Sequence, residues 1–260
     1  MKVLVMASGK GGVGKTTGTI SLGTAFSRRG LRTLIADMDG QSSLTEYFYT
    51  REVKEAINPS MAEMLLDRSK TVIVQPLQLA EKLYILPANS RLAEAELTIQ
   101  SYNNPQALLR QRLRYYQQHF DVVVIDTPPA TGLLTRNALG AADYAIVPIA
   151  TEEMAYRTLP ETLAQIDAII DQEVNENLQL WHIIATMYDQ REGEDKRVLQ
   201  ALRTEYGKFL YHEVMPRRTD YKKAVGSRSD ISDFDKTLGA YWDRMAETID
   251  NEIILVKEPA

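Results

Sequence analysis

Apolar positions along this chain follow two rhythms that alternate. Short unbroken runs stand at Val3–Met6, Thr33–Ala36, Leu83–Leu86, Val122–Ile125, Tyr144–Ile149, Ile183–Met187 and about Phe209–Val214. Continuous hydrophobicity of this length predicts strands buried on both faces, as in a parallel sheet. Between most of the runs the spacing changes to three and four. Leu159, Leu163, Ile166, Ile169 and Ile170 make one helical face, and Phe234, Leu238, Trp242, Met245 and Ile249 make another. Strands alternating with helices predict right-handed β–α–β units and an α/β fold, a doubly wound, mostly parallel sheet flanked by helices. In such sheets ligands sit at the carboxyl ends of the strands.

Composition narrows the class. With 260 residues and 44% hydrophobic content, a single domain spanning 1–260 around one large core is expected. Neither a run of eighteen apolar residues nor a charged-then-apolar leader is found, which predicts a soluble, cytoplasmic protein. The chain has no cysteine, so an iron–sulfur cluster held by thiolates is excluded. The net charge of −5 argues against indiscriminate nucleic-acid binding. Between Arg191 and Arg228, however, ten Lys/Arg stand against six Asp/Glu, either a local electrostatic footprint or a plain mixed-charge surface.

The chemistry starts immediately after the first apolar run. Gly9 to Thr17 reads Gly-Lys-Gly-Gly-Val-Gly-Lys-Thr-Thr, a P-loop between a strand and a helical pattern. The backbone N–H groups of Gly11, Gly12, Val13 and Gly14, continuing through Thr17, are expected to cradle phosphate oxygens at a helix N-terminus. Lys15 then reaches the β- and γ-phosphates, and the Thr16 hydroxyl ligates Mg²⁺. Asp37 and Asp39 end the second strand, two residues apart and pointing the same way, placed to hold Mg²⁺ or orient a water; a solvated Asp-Gly turn is the plain alternative. Phe120 to Pro129 is a Walker B strand capped by Asp126, whose carboxylate contacts Mg²⁺, followed by a stiff Thr-Pro-Pro loop.

Lys10 narrows the reading further, because it lies too early to grip the phosphates that Lys15 serves. Lys10-Gly11-Gly12-Val13-Gly14-Lys15-Thr16 resembles the deviant Walker A box of the ParA/MinD family of ATPases, with small Soj-like partition ATPases nearest, and the resemblance spans roughly residues 1–230. It implies that Lys10 crosses to the nucleotide of a second subunit, so that ATP bridges a homodimer. It assigns Asp39 to positioning the hydrolytic water and Asp37 to support on the Mg²⁺ side. The family's proline after that second Asp is Gly40 here, leaving the segment less rigid. Glu152 is placed at the dimer face, near the partner's nucleotide or signature lysine, although an acid at a helix N-terminus explains it equally well. Asp189, Pro216 and Arg217 match the late segments that embrace adenine. Arg191, with Arg218, Lys222 and Lys223, matches a surface for nonspecific DNA, whose affinity is salt-dependent and blind to sequence. Asp220 stands where the family commonly has arginine, which weakens or displaces that surface.

The function so implied is an ATPase with ATP and Mg²⁺ as cofactors and slow basal turnover. It would dimerise on ATP, bind nonspecific DNA, and partition or position a plasmid, chromosome or protein cargo, with a ParB-like or cargo-adaptor partner stimulating hydrolysis. It would be cytoplasmic and nucleoid-associated. The chain begins at the P-loop strand, so no N-terminal helix-turn-helix domain is expected. The alternative is a MinD-like membrane-cycling ATPase, which needs a basic amphipathic C-terminal helix. Residues 247–260 are instead acidic with a single lysine, so no membrane partner is expected. A small-molecule ligase on the same fold would need substrate loops, and none is obvious. Arg110, Arg112 and Arg114, two apart, point to different faces and predict a solvated helix. His119, His182 and His212 have no metal-ligand spacing.

Overall fold

The computed structural model describes residues 1–218, 221, 224, 227 and 229–255. Seven strands form one sheet: β1 (Lys2–Met6), β2 (Thr33–Asp37), β3 (Leu77–Ala80), β4 (Leu83–Leu86), β5 (Val122–Asp126), β6 (Tyr144–Ala150) and β7 (Gln179–Thr186). Their order is β3-β4-β2-β5-β1-β6-β7, and every neighbouring pair is parallel except β3 and β4. The doubly wound α/β reading is therefore correct, and the P-loop strand sits well inside the sheet, between β5 and β6.

The period-two geometry of the strands divides the core into two layers. Val3 and Val5 of β1 belong to one hydrophobic cluster, while Leu4 and Met6 belong to the other. The first layer is completed by α4 (Met61–Leu66), α5 (Arg91–Ile99), α6 (Leu108–Leu113), α7 (Leu133–Ala141), α8 (Glu153–Asp171) and α9 (Gly193–Tyr206). The second is completed by α1 (Lys15–Arg28), α2 (Ser43–Phe48) and a late helix (Lys236–Ile249), α10 once the short α3 (Arg51–Ala56) is counted. Among the described residues, no helix is long and apolar enough to cross a membrane.

Four details depart from the apolar pattern. β7 begins at Gln179 and ends at Thr186, so Met187 lies beyond it. Residues 209–214 are not a strand. That stretch meets β7 in two separate places, through Tyr211 N–H to the Ile183 carbonyl (2.8 Å) and Met215 N–H to the Ala185 carbonyl (2.9 Å), with a bend at His212 and Glu213 between them. The antiparallel edge strand β3 has no sequence forecast, because its alternation of half-buried and exposed residues is short and weak. Phe234 precedes α10 and is exposed, whereas Leu238, Trp242, Met245 and Ile249 are buried as the helical spacing requires.

The P-loop helix α1 is pressed between the sheet and α10, and two glycines set how closely. A Cβ at Gly18 would lie 3.2 Å from the Trp242 ring, and one at Gly23 only 2.5 Å from Ile35 Cγ2 in β2. Gly23→Ala gains helix propensity of up to about 1 kcal/mol, but overpacking a closed core costs about 1–3 kcal/mol. The clash should win, so urea unfolding should show Gly23→Ala less stable than the parent chain; an equal or higher midpoint would mean that Ile35 yields freely.

Candidate nucleotide site

At the carboxyl end of β1 the chain turns through the P-loop into α1. Gly12 and Gly14 hold φ of 75° and 96°, left-handed values that strain any side chain, so glycine is required there by backbone geometry alone. The loop is braced from outside. Gly9 N–H donates to Thr162 Oγ1 (3.1 Å), and Thr186 Oγ1 donates to the Val13 carbonyl (2.9 Å). Thr162 lies in α8 two residues after Pro160, whose missing N–H interrupts the helical ladder.

Lys15 is buried, and its Nζ donates to the carbonyls of Ser8 (3.1 Å) and Lys10 (3.0 Å). Burial lowers its pKa, while the nearby charges of Asp126 and Asp39 act in the opposite direction. The Lys10 ammonium has no hydrogen bond or ion pair among the described residues, although its backbone carbonyl receives Lys15.

β2 and β5 pair in register, so Asp37 stands beside Asp126. Thr16 Oγ1 donates to Asp126 Oδ2 (2.7 Å), while Asp126 Oδ1 is buried with no partner. Burial first, and then the charge of Asp37, push the Asp126 pKa well up. A bare buried carboxylate oxygen next to a hydroxyl is costly unless something fills the gap. A hard cation taking few protein oxygens and otherwise phosphate and water, as Mg²⁺ does, fits that donor set. Among the described residues no cluster of three His, Cys, Asp or Glu forms a metal cage.

Asp37 does different work from its neighbour. Its Oδ1 accepts from Asp39 N–H (3.1 Å), and its Oδ2 accepts from Thr45 N–H (2.8 Å) and the Thr45 hydroxyl (2.6 Å). Both oxygens thus hold the Asp39 segment and α2 in place rather than standing bare toward a cation. Asp39 is nearly buried, accepts from Gln41 N–H (2.9 Å), and lines a cleft of about 360 Å³ with Gly12, Lys15, Thr16 and Pro129. Gly40 is explained by packing: a Cβ there would approach Ala93 Cβ of α5 to 3.0 Å.

The two late segments come together as expected. Tyr188 and Pro216 form a bridge, and Asp189, Pro216 and Arg217 line a second cleft of about 460 Å³. Their charges pair in ways the sequence did not reveal. Arg191 grips Asp189 through Nε (3.0 Å) and Nη2 (2.6 Å), so the residues read separately for DNA and adenine are joined. Arg217 reaches Glu152 (3.0 Å) and the Met187 carbonyl (3.1 Å), giving the acid read for the dimer face a partner within its own chain. Arg218 pairs with Asp235 (3.4 Å), while Lys222, Lys223 and Asp220 lie outside the described residues. A residue missed by sequence reasoning is Asp195, buried in the first turn of α9. Its Oδ2 accepts from the Thr151 hydroxyl (2.9 Å) and Asp189 N–H (2.7 Å), fixing the ends of β6 and β7 beside the second cleft. An acid at a helix start carries no signal that separates it from Glu194 next to it.

A family model described as AAA domain matches residues 1–180. The chromosome-partitioning ATPase Soj of Thermus thermophilus is 32% identical over 95% of this chain and 94% of its own. Among solved structures, a cobyrinic acid a,c-diamide synthase from Mycobacterium smegmatis with bound ATP analogue and magnesium superposes with a TM-score of 0.80 at 29% identity, covering 97% of this chain and 96% of that one. A putative plasmid partition protein from Borrelia burgdorferi bound to AMPPNP superposes with a TM-score of 0.79 at 25% identity, covering 97% and 99%.

Burial holds the Asp37 pKa up at about 6, above its ordinary value of 3.8. Between about pH 4 and 6 the folded state therefore binds more protons than the unfolded chain, so Asp37 makes stability fall as pH rises through that window, by up to about 3 kcal/mol. Asp37→Asn cannot titrate there. The stability of the parent chain relative to Asp37→Asn, measured by urea unfolding of nucleotide-free protein, should drop by that order between pH 4 and 6; a difference independent of pH would count against a buried, proton-holding Asp37.

Proposed function

The chain belongs to the ParA/Soj family of ATPases, and on that premise we propose that it forms an ATP-bridged dimer, binds nonspecific DNA, and positions a plasmid, chromosome or protein cargo, with hydrolysis stimulated by a ParB-like or cargo-adaptor partner. Its cofactors are ATP and Mg²⁺. The observation that carries the proposal is the pair of lysines at one loop: Lys15 sits inside the P-loop, while the ammonium of Lys10 has no partner among the described residues.

Mg²⁺, held by Thr16 and Asp126, would neutralise charge on the β- and γ-phosphates. The remaining chemistry belongs to the chain. Lys15 exchanges the carbonyls of Ser8 and Lys10 for phosphate oxygens, and the N–H groups from Gly11 to Thr17 complete the cradle. Lys10 reaches the nucleotide of a second copy, where Glu152 also lies at the dimer face. Asp37 aligns the segment carrying Asp39, and Asp39 orients the attacking water. At the second cleft Asp189, Pro216 and Arg217 frame adenine. Adenine's amino group and Arg191 compete for the Asp189 carboxylate, so nucleotide would free Arg191 to meet DNA phosphates beside Arg218, Lys222 and Lys223. This gives a physical reason for DNA binding to follow ATP. The protein would then be cytoplasmic and nucleoid-associated.

The likeness to the Mycobacterium synthase favours a second reading, ATP-dependent amide formation on an acid. Phosphate release from ATP in the absence of any acid or amide donor supports the positioning reading, and a strict requirement for both supports the other.

Lys10→Ala should retain monomeric nucleotide binding and lose the ATP-dependent dimer, whereas Lys15→Ala should lose nucleotide affinity itself. Asp39→Ala should keep binding and slow turnover by about 10²–10⁴, the range for a lost positioned base. Sedimentation with ATP and steady-state phosphate release read all three; a Lys10→Ala dimer as stable as the parent's would sink the bridging role.

DNA binding should require ATP, ignore base sequence and fall steeply between low and physiological salt. Charge reversal at Lys222 and Lys223 should weaken every duplex alike, and Asp220→Arg should tighten binding by about 1 kcal/mol after screening. A gel-shift series with and without ATP checks this. No shift of any duplex at low salt would end the nucleoid reading while leaving the ATPase reading intact.

A further inference from the structure

Arg112 was expected on a solvated helix, and the structure corrects that expectation. It is only 7% exposed. Its Nη2 donates to the Asp67 carbonyl, and its Nε is buried with no acceptor. A guanidinium stays charged in proteins, so a buried one with no carboxylate in direct contact is an unfinished arrangement, although the charge of Asp67 acts favourably on it from nearby. Asp67 is the obvious counter-charge, but its carboxylate closes its own turn, accepting from the N–H groups of Ser69 (2.9 Å), Thr71 (2.6 Å) and Val72 (2.7 Å). Among the described residues no ion pair includes Arg112, Arg68 or Lys70.

These three cations line one cavity of about 340 Å³, where the Arg68 guanidinium lies 4.2 Å above the centre of the Tyr102 ring. Lys70 and Arg112 also line an adjoining hollow of about 110 Å³ with Val72, Ile73 and Tyr115. At Tyr115 and Tyr116 that hollow meets a third cleft of about 400 Å³, walled by Pro76, Tyr84 and Phe120. The three hollows share lining residues and form an elongated groove, with three cations and Asp67 at one end and an aromatic wall edged by Arg32 and Lys82 at the other. None of its residues lines the nucleotide cleft, which lies at the carboxyl ends of the strands.

We propose that this groove docks an extended segment of a protein partner in which acidic residues precede an aromatic or aliphatic side chain. The acid pairs with Arg112 and Lys70, and the apolar side chain covers Tyr115 and Pro76. Charge complementarity and shape select this occupant. A compact anion would use one end only. A nucleic acid needs free cations along its whole track, whereas at the aromatic end Arg32 is tied to Asp121 at 2.7 Å and the Lys82 ammonium to the Gly30 carbonyl at 3.0 Å. A planar guanidinium with unmet donors suits a carboxylate, and desolvation strengthens the pair.

The test uses the full chain and fluorescence anisotropy against labelled hexapeptides. Each carries Glu-Glu followed by Phe, Tyr, Leu or Ile at one of the next three positions, with Gln-Gln versions as controls and labelled oligothymidylate as a competitor class. At least one Glu-Glu peptide should bind about tenfold or more tightly than its control, and Arg68→Glu and Lys70→Glu should each weaken it by about tenfold. ATP turnover without peptide should be unchanged in both variants, since neither residue touches the nucleotide cleft. Arg112→Gln should abolish binding, with circular dichroism confirming the fold; the two surface variants decide the matter if it fails to fold. Three results overturn the proposal: no peptide distinguishes Glu from Gln, the best peptide ignores both surface substitutions, or oligothymidylate binds with the same sensitivity to them.

Discussion

One carboxylate oxygen without a partner organises the centre of this molecule. Asp126 is fully buried at the end of β5, and its neighbour across the sheet is another acid, Asp37. Two carboxylates in a dry place repel each other: burial pushes up the pKa of both, and the charge of Asp37 raises that of Asp126 further. The fold resolves the conflict by treating them differently. Asp37 receives three donors from its own surroundings, while Asp126 receives only the Thr16 hydroxyl and keeps its second oxygen bare. The interior strands, the left-handed glycines and the helix that follows all bring that bare oxygen to the mouth of the phosphate loop. Such an arrangement is unfavourable alone, and on the proposed function Mg²⁺ beside the bare oxygen would offset that cost.

The phosphate loop is built to keep its shape without a ligand. Its backbone is held from α8 by Thr162 and from β7 by Thr186. Both are threonines, whose hydroxyls bond to the loop's main chain, so the loop's path depends on elements far away in sequence. The second cleft is assembled in the same manner, through the buried carboxylate of Asp195. Rigid strands place the reactive groups, and single polar side chains at the strand ends fix the irregular backbone between them.

Much of this was legible in the chain. Apolar runs located six of the seven strands because parallel strands are buried on both faces and leave unbroken hydrophobicity. The placement of Gly9 to Thr17 and Asp39 at one cleft, and of Asp126 at the end of its strand, was legible because glycine spacing and an acid at a strand's end stand out in the chain. What stayed hidden was pairing. Nothing in the sequence tells that Arg191 turns back on Asp189, that Arg217 takes Glu152, or that Asp37 serves Thr45, because exposed or short-range partners are chosen by loop geometry. Arg112 misled for a related reason: helical spacing says which face a residue occupies, but not whether a neighbouring loop folds over that face. β3 escaped notice because an edge strand of four residues carries too little alternation to read.

The bond from Lys15 to the carbonyls of Ser8 and Lys10 has a consequence for the order of events. If Lys15 grips phosphate as proposed, the phosphate must displace these internal acceptors, so every nucleotide binds against a competitor that never diffuses away. A nucleoside triphosphate presents more negative oxygen to the lysine than a diphosphate does, and overcomes the competition more fully. On the proposed function, the carbonyls would regain their share of the ammonium after hydrolysis, and the loop itself would help to evict what remains. The clip would then act as a built-in bias toward exchange, favouring entry of fresh fuel over retention of its spent form.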